Sequence, residues 1–291
     1  MRRLLWLLAG IAAAQQIPDR QFSPKIDAPA FPQGKGPRVL IDEAHRNFHT
    51  ASGRYAAFAQ LLRRDGYNVA PSTTLFSPET FRDTDVLVIA NALHPSNENN
   101  WRLPTPSAFT PAEIDALLTW IRSGGALLLI ADHMPFPGAA MDLGKALGVT
   151  FHNGYARQRP SQGPAVFDTE SGMLRPHPIT QNIQRVATFT GSAFRLTAPG
   201  DPLLVFDASF ESWQVSQAMR FPDTTPRIPL DGWLQGAALT IGKGRAAVFG
   251  EAAMFSAQLS GPNRTPMGMN HPLAAENPLL LRRTLRWLTR R

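Results

Sequence analysis

Unbroken apolar runs recur through the first half of the chain, and each stops at a polar cluster. Val39 to Ile41 stops at Asp42 and Glu43, with His45, Asn47 and His49 close behind. Asp85-Val-Leu-Val-Ile-Ala90 stops at Asn91, and Ala126-Leu-Leu-Leu-Ile-Ala131 stops at Asp132-His133. Runs this short, flanked by turn residues, read as strands buried on both faces. Between them the apolar positions return at helical spacing. Tyr55, Phe58, Ala59, Leu61 and Leu62 make one such face, with Ser52 as N-cap oxygen and Asp65-Gly66 as the stop. Ile114, Leu117, Leu118 and Ile121 make another, opened by Thr110, Pro111 and Glu113 at capping-box spacing. A third helix runs over 139–147, and Val149 to His152 begins the next strand. Alternation of this kind predicts an α/β domain, with a mostly parallel sheet and helices on both faces.

From about residue 153 to 235 the pattern loosens. Gly, Pro, Ser, Thr and Gln become frequent, and strands such as Val186 to Phe189 and Leu203 to Phe206 are short. This stretch reads as an irregular β-rich lobe inside a single domain spanning 38–291. Regularity returns with Gly236 to Ile241 and Arg245 to Gly250, a hairpin by its Gly-Lys-Gly turn. A last helix over 277–288 presents Leu280, Leu281, Leu285 and Leu288. Before the domain, five prolines between residues 15 and 37 (Pro18, Pro24, Pro29, Pro32, Pro37) describe an extended linker or an arm lying on it.

The first residues belong to none of this. Arg2 and Arg3, the apolar stretch Leu4 to Ala13 and the small residues Ala12-Ala13-Ala14 form a secretory signal peptide over 1–14. The mature chain is therefore expected in the periplasm or outside the cell. No later stretch reaches the ~18 apolar residues of a membrane span, so no transmembrane segment is expected once the signal is removed. The chain has no cysteine, which removes disulfides, thiolate catalysis and Cys-based zinc sites. Its formal charge is +7, but Arg2, Arg3, Arg282, Arg283, Arg286, Arg290 and Arg291 place that excess at the termini. No basic element interleaved with aromatics appears, so a nucleic-acid partner is not expected.

The polar clusters carry the chemistry. In open α/β sheets the ligand crevice lies outside the carboxyl ends of the strands. Parallel order would collect Asp42, Glu43, Asp132 and His133 on that edge, and Glu251 would join them if its strand runs parallel to theirs. These five are the candidate catalytic residues. Asp132-His133 reads as a general base with its orienting partner, a metal-ligand pair, or a helix cap. Glu251 is either part of the edge or a cap for the turn at 252–255. His45 and His49, four apart, would face one way on a helix and are the candidate ligands of a divalent metal; otherwise they bond their own loop. Phe48, Phe136 and Phe255 would wall a pocket or fill the core.

Three sets of residues bear a resemblance. Asp42-Glu-Ala-His45 with Phe48-His-Thr50 and Gly53-Arg-Tyr55 is the first. Ile130-Ala-Asp-His133 with Pro135-Phe136 is the second, and Gly242-Lys-Gly-Arg245 with Phe249-Gly-Glu-Ala252 the third. Over 38–289 these resemble an exported bacterial family of unknown function. That family sits in the class I glutamine amidotransferase-like superfamily and is related to ThuA-like (trehalose-utilisation) proteins and to gliding/ABC-transport-associated domains. The resemblance implies a flavodoxin-like sheet. The superfamily's amidotransferases place a nucleophilic cysteine after the central strand. Here that strand runs into Asp132-His133, so amidotransferase chemistry is excluded, and no Gly-x-Ser-x-Gly elbow replaces it. Two expectations remain: a hydrolase-type enzyme on a small polar or carbohydrate-like ligand, or a non-catalytic ligand- or partner-binding domain of the cell envelope.

Overall fold

The computed structural model describes residues 16–160 and 163–289. The segment 1–14, expected to be a signal peptide, and the terminal Arg290 and Arg291 lie outside the described residues. Among the described residues the centre of the molecule is a nine-stranded sheet. Its first four strands are β1 (Arg38–Asp42), β2 (Asn68–Ser72), β3 (Val86–Ala90) and β4 (Ala126–Ile130). Then come β5 (Val149–His152), β6 (Ala193–Leu196), β7 (Asp201–Val205), β8 (Leu234–Ile241) and β9 (Gly244–Phe249). Spatially the strands run β2-β1-β3-β4-β9-β8-β6-β5, with β7 also on β8. The first five in that order are parallel, and the other pairings are antiparallel.

Side chains alternate along these apolar strands, so one run feeds two cores. Val39, Ile41, Val88, Leu128 and Ile130 pack on one face with α1 (Ala56–Arg64). Leu40, Leu87, Ile89, Leu127 and Leu129 pack on the other with α2 (Pro111–Arg122) and α3 (Met141–Leu147). The last helix, α4 (Asn277–Thr289), returns to the first face through Leu280, Leu281, Leu285 and Leu288.

α2 has the expected capping box from Thr110 and Glu113. α1 begins later than its apolar spacing suggests: Ser52 does not cap it, and Tyr55 precedes its first turn without a side-chain cap. Instead the Gly53 and Tyr55 amides donate to the Thr50 carbonyl, which turns the chain into the helix.

The Pro-rich segment is an arm lying on the domain. Gln16–Pro18 pairs antiparallel with Ala257–Ser260, and Phe22, Ile26, Ala30 and Phe31 pack on the core. Gly66 lets it close: the residue has φ +95°, and a Cβ there would meet the Phe31 carbonyl. The irregular stretch is not a body apart. Tyr155–Gln158, Phe210–Trp213 and Arg227–Pro229 form a small three-stranded sheet, and Ala165–Asp168 pairs with Arg185–Thr188. Yet β6 and β7, from the middle of the same stretch, complete the central sheet.

Candidate functional site

The strand ends meet as the parallel order requires. β9 lies parallel to β4, so Glu251 stands on the same edge as Asp42 and Asp132. Each is buried, and each is held by a different device.

Asp42 accepts from His45 Nδ1 at 3.0 and 2.9 Å, and His45 Nε2 meets Glu113 Oε1 at 2.9 Å. With both ring nitrogens facing carboxylates, both must donate, and the ring is an imidazolium. Burial pushes the His45 pKa down, but the bonds and charges of Asp42 and Glu113 outweigh it, and the net direction is up. Phe76 and Phe109 close over the ring at 4.4 and 4.7 Å. Glu113, at the start of α2, also accepts from the amides of Phe76 and Thr110. The group is a buried brace joining the end of β1 to the start of α2.

Asn91 sets the next link. It ends β3 at φ 54°, a left-handed conformation that asparagine tolerates. Its Oδ1 accepts the Asp132 amide at 2.9 Å, which turns its amide nitrogen toward His49 Nδ1 at 3.2 Å. His49 Nδ1 is therefore an acceptor and Nε2 carries the proton. That N–H is buried and has no partner among the described residues. Burial, then Arg54 and His133, push the His49 pKa down to about 3, so the ring is neutral. Arg54 itself stacks over Phe48, 3.7 Å from the ring centre, and burial lowers its pKa.

Asp132 accepts the His133 amide at 2.6 Å and the Ala252 amide at 3.3 Å. Glu251 accepts from Ala253 at 2.9 Å and Met254 at 2.6 Å. The two carboxylates thus receive three consecutive amides of one turn. Burial, then the charge of Asp132, hold the Glu251 carboxyl well above the usual range. Tyr55 donates to the Ala252 carbonyl from beneath.

His133 is arranged differently. Its Nδ1 donates to the Met134 carbonyl at 2.8 Å, and no described residue bonds Nε2. The ring stacks on Tyr155, 4.3 Å between centres and 12° between planes. Phe136 and Trp101 flank it, and Trp101 also packs on Phe48 and Phe136.

The candidate catalytic residues therefore divide. Asp42, Asp132 and Glu251 come to one edge with His133. Glu43 turns away, accepting the Ala51 amide and lining a separate recess with Arg20 and Gln60. Phe255 is core, against Phe249. His45 and His49 are not disposed as a ligand pair, because His45 uses both nitrogens on carboxylates. Among the described residues no group of three or more His, Asp or Glu side chains is placed to hold a metal ion. The donor set present does not fit a metal at these histidines.

Spacing along the chain pointed to none of Glu113, Tyr155 and Trp101 as neighbours of the site, whereas Asn91 was one of the strand ends expected on this edge. Glu113 shows in the sequence as a capping-box acid, and its second role needs His45, 68 positions away. Tyr155 lies in the loosened stretch. Beyond it is a cavity of about 230 Å³, walled in part by Tyr155, Phe189, Phe210 and Phe221 with Arg157 and Gln158. A larger depression of about 1000 Å³ opens on the opposite edge, by Trp120, Lys243 and Arg245, away from every strand-end group named above.

No family model matches the sequence, and no curated protein does either. Solved structures do. The mmIFT52 N-terminal domain aligns with a TM-score of 0.63 at 15% identity, over 87% of this chain and 98% of that one. A ThuA-like protein from Bacteroides uniformis aligns at 0.52 and 16%, over 91% and 94%. The cytoplasmic protein STM3548 from Salmonella typhimurium aligns at 0.51 and 14%, over 88% and 100%. At such identities the likeness is one of fold: the chain has the mixed α/β fold of ThuA-like proteins.

Proposed function

We propose that this chain is a non-catalytic binding domain of the cell envelope, taking a small polar or carbohydrate-like ligand in the cavity behind Tyr155. One observation carries the reading. Asp42, Asp132 and Glu251 give their oxygens to fixed amide and imidazole donors, so the edge offers no free acid paired with a free base. The open space beside it is instead lined by rings with a few polar side chains, as ligand sites are. Its volume of about 230 Å³ suits one small molecule. Flat rings cover the C–H face of a sugar while Arg157 and Gln158 reach its hydroxyls. The parallel order 2-1-3-4 continued by β9 is that of flavodoxin-like sheets, and it supports kinship with the amidotransferase-like superfamily. Export rests on the leader-like residues 1–14.

A second reading, a hydrolase-type enzyme, draws on His133. A ring that donates through Nδ1 keeps a lone pair on Nε2, which is what a general base needs. Calorimetric titration with mono- and disaccharides, beside hydrolysis assays on their glycosides, separates the two. Binding that is lost in Phe221→Ala and kept in His133→Ala, without turnover, is the expected result. Turnover abolished by His133→Ala would replace the binding reading with the enzymatic one. Mass spectrometry of exported protein should find an N-terminus near Gln15; an intact Met1 on exported material refutes cleavage.

A further inference from the structure

The cavity behind Tyr155 carries a charge that its surroundings do not balance. Arg157 lines it, with its guanidinium 4.6 Å from the Trp213 ring and 5.2 Å from the Phe221 ring. Glu211 stands directly across the strand pair from Arg157. Its carboxylate, though, is taken by others. It accepts Trp213 Nε1–H at 2.7 Å and meets Arg159 at 3.3 Å and Arg227 at 3.7 Å. Arg227 lies over the same Trp213 ring as Arg157, at 4.1 Å. Arg159 and Arg227 thus share that carboxylate, and Arg157 is left as the positive charge at the cavity wall. Among the described residues no acidic side chain lines the cavity. Between apolar walls such a charge is screened far less than on open surface.

The form of the charge matters as well. A guanidinium set between two rings can turn its edge N–H groups to a carboxylate and bind it in a fork. The rim adds an independent sign. Met219 is 59% exposed, adopts φ 60° although it is not glycine, and hangs its amide on the Tyr155 hydroxyl at 3.2 Å. Left-handed backbone at a side-chain-bearing residue is a strain that gathers at ligand sites.

We propose that the cavity binds a small sugar acid of the uronate type, with its carboxylate on Arg157 and its apolar face on the surrounding rings. This rests on the reading of the cavity as the ligand site. The test is calorimetric titration of the full chain with glucuronate and galacturonate against glucose and galactose, each at low and raised salt. The parent, Arg157→Gln and Arg157→Lys are compared. A charge-assisted fork predicts that uronates bind the parent about tenfold tighter or more than the neutral sugars. That preference should vanish in Arg157→Gln, persist in part in Arg157→Lys, and shrink as salt rises. Equal binding of neutral and acidic sugars overturns the anion assignment and leaves the binding domain standing. A preference that survives in Arg157→Gln also overturns it. No binding of any of the four sugars overturns the cavity reading itself. Should Arg157→Gln fail to fold, the Arg157→Lys and salt series on folded protein still decide.

Discussion

Replacing His45 by leucine tests the buried brace at the end of β1. Leucine keeps bulk between Phe76 and Phe109, so the cavity contribution is small and the loss is ionic. Glu113 would keep the Phe76 and Thr110 amides and the Thr110 hydroxyl. Asp42, fully buried, would keep only the Ala44 amide. Removing one partner of a buried pair leaves an uncompensated charge and costs about 3–5 kcal/mol. In a domain of this size that lowers Tm by roughly 5–8 °C. The sign of the pH dependence is fixed by two shifts. His45 is raised above 6.5 on folding, so its contribution is full below the unfolded value and fades as pH rises through the folded one. Glu113 is lowered below 4.5, so its contribution is present above that value and fades as pH falls through the folded one. The gap between parent and His45→Leu should therefore be widest between about pH 5 and 6.5. Urea unfolding of both proteins from pH 4 to 9 measures it. Adding Asp42→Asn to His45→Leu removes the orphan charge and should restore a large part of the loss. A cost under about 1 kcal/mol, or no recovery in the double variant, would refute the imidazolium account.

Glu251→Gln should gain stability relative to the parent as pH rises from about 5 to 9. The Glu251 pKa is raised on folding, so the parent loses that contribution as pH climbs through the folded value, while the amide does not titrate. Urea midpoints at the two ends of the range decide it, and parallel curves would end the carboxylate-pair account. Chelator should leave the Tm of the parent unchanged, and His49→Ala should not alter its metal content. A chelator-dependent midpoint shift would show a bound ion stabilising the native state and would reopen the histidines as ligands.

Much of the frame is legible from the sequence because it is local. The runs ending at Asp42, Asn91 and Asp132 carry their own burial, and Thr110 with Glu113 carries its own cap. The gathering of strand ends follows from parallel order, and Glu251 joined it because β9 pairs with β4. What the spacing hid is long-range. His45 looked like half of a metal pair, since nothing nearby reveals that Glu113 waits for its second nitrogen. Asp132 and Glu251 looked reactive, but only the folded turn brings the amides of residues 252–254 onto them. The loosened middle stretch gave no warning that β6 and β7 would pass into the main sheet, because antiparallel partners with mixed burial leave a weak periodicity.

The arm bears on how the chain is made. Gln16–Pro18 has its strand partner at Ala257–Ser260, and the Ala28 carbonyl is held by Arg282 and Arg286. Residues 23–36 can settle early on Arg64, Asp65 and Gly66. But at ~5–20 residues per second synthesis of the 291 residues lasts roughly 15–60 s, and Gln16–Pro18 waits for its strand partner through most of it. The first described residues are thus among the last to settle. A nascent chain cut short before Ala257 would carry an unpaired segment at Gln16–Pro18 that proteases can reach, so incomplete products are exposed at the end that was made first.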